Sequence, residues 1–91
     1  MLMLAQIDLS NADLALFDEY ESAVLALLEK YGARLEDRLR STDGRTEVHL
    51  LYFPDAGSLA GFRSDPIRAS AQSIWERSRA SSSLTEVTRL K

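Results

Sequence analysis

A chain of 91 residues with 14 acidic and 11 basic side chains has room for one small domain, expected to span residues 1–91, and carries a net charge of −3. It has no cysteine and a single histidine, which excludes disulfides, thiolate metal sites, a cysteine nucleophile and a multi-histidine metal centre within one chain. No basic patch stands out, so neither nucleic acid nor an anionic membrane is an expected partner.

The chain opens with a predicted strand over Met1 to Leu9. Met1, Met3, Ala5, Ile7 and Leu9 share an apolar face that should meet helices, and Leu2, Leu4, Gln6 and Asp8 share the other. This apolar start lacks a positive leading segment and is cut short by Asp8. Neither a signal peptide nor a membrane span is expected, and the reading is cytoplasmic. Ser10-Asn11-Ala12-Asp13 is dense in N-cap residues, and Phe17, Tyr20, Val24, Leu27, Leu28 and Tyr31 then recur at helical spacing. Asp18, Glu19 and Glu21 are expected on the solvated face of that helix, and Gly32 suits its left-handed end.

Ala33 to Arg40 alternates as an edge strand with a charged second face, and Ser41-Thr42-Asp43-Gly44 supplies a hairpin turn. The run from Glu47 to Phe53 is the longest β-favouring stretch and stops at Pro54, which cannot donate to a sheet ladder. Asp55 can cap a short helix carrying Leu59 and Phe62. Asp65-Pro66 starts a second helical piece, with Ile67, Ala71, Ile74, Trp75 and Ser78 along one face. Ser81-Ser82-Ser83 is expected to be a loop, and Leu84 to Leu90 the last strand.

The order strand, helix, two strands, helix, strand is the ferredoxin-like α+β arrangement. It predicts a four-stranded antiparallel sheet with the first and third strands in the middle and helices on one face only. The third strand is apolar on both sides, so the face without helices should need a cover, for which a second copy of the chain is the economical choice.

Four segments carry a resemblance: Phe17-Asp18-Glu19-Tyr20-Glu21, Lys30-Tyr31-Gly32-Ala33, Val48 to Asp55, and Phe62-Arg63-Ser64-Asp65-Pro66. With their order and spacing, they resemble the dimeric α+β barrel superfamily, and its small members of unknown function above all. The resemblance implies a homodimer whose two sheets face each other around a cavity. Some relatives are cofactor-independent quinone-forming monooxygenases, lactone isomerases or haem-binding enzymes. The chain departs from the haem binders in lacking a second barrel-like domain and a proximal-histidine motif, and no catalytic signature of the monooxygenases carries over. No cofactor is expected.

His49 is the one side chain whose ordinary pKa lies near neutrality, and it is the candidate general base. Phe53 should dock beneath the helices, and strict alternation would send His49 there too. The polar company of Glu47 favours instead the open face, which a bulge near Tyr52 would allow, and the open face is the expectation adopted. There His49 could lie near Gln6 or Asp8, with Tyr52 orienting a substrate through its hydroxyl. Gln6, Glu47, Leu50 and Trp75 are the candidate ligand contacts, although a tryptophan on a helix stripe is more often core or interface. Arg63, Arg68, Arg77 and Arg79 are read as a solvated surface paired with Glu76 and Asp65. No phosphate loop, nucleophile elbow or metal-ligand spacing is present. The functional expectation is a homodimer that binds a small apolar or aromatic molecule between the sheet and its partner. The alternatives are a cofactor-independent monooxygenase- or isomerase-like enzyme and an interaction module without a ligand.

Overall fold

A computed structural model describes residues 1–90. Four strands, β1 (Leu2–Asp8), β2 (Arg34–Arg40), β3 (Thr46–Tyr52) and β4 (Ser81–Val87), form one antiparallel sheet in the order β2-β3-β1-β4. Four helices, α1 (Leu14–Leu25), α2 (Ala56–Arg63), α3 (Pro66–Ser70) and α4 (Gln72–Ser78), cover one face. The shortest dimension is 16 Å, the thickness of two layers, and the other sheet face has no covering element among the described residues. This is the ferredoxin-like arrangement the element order predicts. No helix among the described residues is long and apolar enough to cross a membrane.

Local chemistry sets the element boundaries. Asp13, Asp55 and Asp65 each cap a helix, accepting from the amides of Leu16, Ser58 and Ile67. α1 ends earlier than its apolar stripe, and a tight 3-10 turn over Leu28–Tyr31 closes at Gly32, whose φ of 67° only glycine adopts freely. Pro66 begins α3 as expected, but a break at Ala71 divides the last helical stretch in two, and Ile67 is 53% exposed rather than on the packed face.

The last strand begins at Ser81, not Leu84. Ser81, Ser82 and Ser83 pair with Asp8, Ile7 and Gln6, so the serine run is strand rather than loop. Strand propensity is low for serine, and register with the buried β1 overrides it.

Met3, Ile7 and Leu9 pack inward with Phe17, Tyr20, Val24, Leu51, Phe53 and Phe62. Trp75 touches both halves of this core, its ring 5.0 Å from Tyr20 and 6.3 Å from Phe17. Cross-strand partners place Leu2, Leu4 and Gln6 of β1, Val48, Leu50 and Tyr52 of β3 and Val87 of β4 on the open face.

β2 is irregular. Leu35 pairs with Leu51 and Asp37 with Leu50, so Glu36 is an extra residue, a β-bulge. Beyond it the strand's two faces exchange. Arg38 and Arg40 come opposite His49 and Glu47 on the helix side, and Leu39 turns to the open face, 63% exposed. The sequence reading set a bulge near Tyr52. It lies instead on the neighbouring strand.

Candidate functional site

β3 runs without interruption, so alternation from the buried Phe53 carries Leu51, His49 and Glu47 to the helix side. His49 is 3% exposed and Glu47 1%. The expectation that His49 faces the open side is therefore corrected: no bulge on β3 rotates it, and its neighbour on β1 is Ala5, not Gln6 or Asp8.

A buried charge network surrounds these two residues. Arg38 Nε donates to Glu47 Oε2 at 3.0 Å, while Arg40 Nε and Nη2 reach Oε1 at 2.8 and 2.7 Å. The His49 Nε2–Glu47 Oε2 distance is 2.5 Å. Burial alone would raise the Glu47 pKa, but hydrogen bonds from His49, Arg40 and Arg38 outweigh it and hold the carboxyl below its ordinary range. An ionised Glu47 only accepts, so Nε2 of His49 is the protonated nitrogen, and in the neutral ring Nδ1 carries the lone pair.

Nδ1 lies 3.8 Å from Oε2 of Glu21 on α1. Glu21 was expected in solvent but is 6% exposed. Its pKa is pushed up to about 7, first by burial and then by the charge of Glu47, with Arg38 and Arg68 pulling the other way.

Of this network, Glu21 and His49 line a cavity of about 250 Å³ between helices and sheet. Tyr20, Leu51, Phe53, Phe62 and Trp75 supply its apolar surface, and Arg63, Arg68 and Gln72 its polar edge. The volume lies just under the usual range for small-molecule pockets and suits one or two rings.

Of the candidate site residues, His49 and Trp75 line this cavity, and Glu47 contacts His49 without lining it. Tyr52, Leu50 and Gln6 do neither, because they point away from the helices. Tyr52 lies under the guanidinium of Arg34 at 4.2 Å, and Gln6 lines a separate polar recess with Asp8, Thr46 and Ser81. Arg63, Arg77 and Arg79 are exposed as expected, but Arg68 is half-buried at the cavity with its Nε out of solvent. Asp65 pairs with Lys30 at 2.8 Å and with the Tyr31 hydroxyl rather than with an arginine.

One signal could have revealed Glu21. It falls four residues after Phe17 and three before Val24, in the buried stripe rather than beside it. Glu21, Glu47 and His49 also bring one ligand atom each within 4.8 Å of one another, a spacing a cation could use. Both oxygens of Glu47 are already engaged by arginines and imidazole, however, so the donor set suits a proton better than a metal ion.

No protein-family model and no curated protein matches the chain. Solved structures do. A variant of SnoaB, a cofactor-independent oxygenase from Streptomyces nogalater, is 13% identical with a TM-score of 0.73 over 98% of this chain and 94% of that one. A provisionally assigned antibiotic biosynthesis monooxygenase from Nitrosomonas europaea is 11% identical, with a TM-score of 0.71 over 98% and 100%. Another such assignment, from Caulobacter crescentus, is 15% identical, with a TM-score of 0.69 over 97% and 89%. The chain has the fold of these structures.

Proposed function

We propose that the chain holds a small aromatic or enolisable molecule in the cavity between its helices and its sheet, and that His49 takes a proton from it. The observation that carries this reading is the pairing of His49 with Glu47. A carboxylate fixed by two arginines holds one imidazole nitrogen as donor and leaves Nδ1 free to act as a base at the cavity wall. Loss of the proton gives an electron-rich enolate or phenolate. In cofactor-free oxygenation this anion passes its electrons to dioxygen, so that a ring CH2 becomes a carbonyl while one O2 is consumed and one water released. In isomerisation the proton returns to a different carbon.

Two further facts favour the oxygenase form. SnoaB, of the same fold, is described as a cofactor-independent oxygenase. The part of the cavity bounded by Tyr20, Leu51, Phe53, Phe62 and Trp75 is apolar, and an aromatic ring and dioxygen both partition well there.

The test follows oxygen uptake and carbon-bound hydrogen–deuterium exchange in a panel of small phenols and aryl ketones. The expected result is turnover that His49→Gln lowers by about a hundredfold or more. Full activity in that variant, or no exchange with any of the panel, overturns the reading.

A second reading, binding without conversion, rests on the saturation of Glu47 by donors from two strands, which would make the network a structural pin. It predicts ligand-induced thermal stabilisation with no exchange. In either case a homodimer is proposed, closed through the open sheet face and its Leu2, Leu4, Val48, Leu50 and Tyr52. The resemblance of the sequence to the dimeric barrel superfamily, together with the shared fold, supports that assembly.

A further inference from the structure

Among the described residues Arg68 is the one whose side chain holds a buried, unbonded donor. It lines the cavity, its guanidinium lies 5.2 Å from the centre of the Phe62 ring, and Nη1 makes one long bond of 3.4 Å to the Arg63 carbonyl. Its Nε is buried and has no hydrogen-bond partner, the one such side-chain atom among the described residues. An orphaned buried donor is costly, more so on a charged group, and natural proteins rarely leave one without a use. The nearby carboxyl does not answer the need. Glu21 feels the Arg68 charge but makes no bond to it, and with its pKa near 7 it is largely protonated in mildly acidic solution.

Resting on the pocket reading above, we propose that the cavity selects aromatic carboxylates, with the ring among Trp75, Tyr20 and Phe62 and the carboxylate on the Nε–Nη2 edge of Arg68. That edge offers two coplanar N–H donors at the spacing of the two oxygens of a carboxylate, a match that a tetrahedral anion or a single hydroxyl makes less well. The carboxylate is the handle, and the reacting carbon or hydroxyl lies toward His49 on the opposite wall. Selectivity follows from the orphaned donor: a neutral ring of the same shape leaves Nε unbonded, whereas the carboxylate satisfies it.

Trp75 is the sole tryptophan, so its emission reports occupancy of the cavity directly. Benzoate and its neutral isostere benzamide are titrated against the full chain at about pH 6, where Glu21 is mostly uncharged. Benzoate should bind about tenfold more tightly than benzamide, and Arg68→Met should bring the two to equality, with its urea midpoint as the check on an intact fold. Equal affinity in the unaltered chain overturns the carboxylate assignment and leaves the pocket standing. So does a preference that survives Arg68→Met. If neither probe alters Trp75 emission, the pocket reading itself fails. Should the variant misfold, the comparison of the two probes on the unaltered chain still decides the matter.

Discussion

Glu21 is the side chain whose charge the fold alters most, and the direction of the shift fixes a pH dependence. Its pKa of about 7 lies above the ordinary 4.5, so between those limits the folded chain keeps a proton that the unfolded chain has released. Raising the pH through that window therefore draws the equilibrium toward unfolding, by up to about 3 kcal/mol, and the loss levels off above it. Urea midpoints at about pH 5 and about pH 8 should differ clearly in the unaltered chain and much less in Glu21→Gln. A variant that keeps the full difference would assign the effect elsewhere. Asp65 works at the acid end. Lys30, Tyr31 and the Ile67 amide hold its pKa at about 2, so its contribution is present above the ordinary 3.8 and is lost as the pH falls toward 2. At this scale the sequence was partly legible. His49 and Glu47 drew notice because a histidine and a carboxylate stand out in an apolar strand. Glu21 and Arg68 were hidden among acids and bases that do face water, and only the packing of α1 and α3 against the sheet separates them from their neighbours.

Between elements, one close joint is where α2 packs on the 3-10 turn. A Cβ on Gly61 would come within 2.8 Å of Tyr31 Cε1 and 3.1 Å of Cδ1. The Tyr31 ring cannot simply swing aside, because its hydroxyl bonds the buried Asp65 that caps α3. Gly61→Ala should therefore cost about 1–2 kcal/mol despite the better helix propensity of alanine, read as a lower urea midpoint. Were alanine to stabilise the chain instead, the ring would have to be free to move. The caps at Asp13, Asp55 and Asp65 and the turn at Gly32 were legible because each is a short-range device, written in two to four adjacent residues. The serines at the start of β4 were not. Their strand state comes from pairing with β1 more than seventy positions earlier, and nothing in Ser81-Ser82-Ser83 itself announces it.

For the whole molecule, the sheet has one face under helices and one bearing Leu2, Leu4, Leu39, Val48, Leu50, Tyr52 and Val87. If two copies meet through that face, Leu50→Arg at its centre should turn a dimer into a monomer in light scattering at micromolar concentration. An unchanged mass, or an unaltered chain already monomeric, would count against the assembly. The topology was readable from element order and the uncovered face from the double-sided hydrophobicity of β3. The side of His49 was misjudged because the sequence reads an acid beside it as a mark of the open face, whereas the bulge at Glu36 on β2 turns two arginines inward to meet that acid under the helices. That insertion has a reach beyond its own strand. Were Glu36 to pair with Leu50 in an unbroken ladder, Arg38 and Arg40 would swing outward, Leu39 would come inward opposite Glu47, and the carboxylate that holds the imidazole would lose both its counter-ions. One surplus residue in an edge strand is thus what sets two cations against a sunken acid, and a register slip of that strand would leave the acid bare.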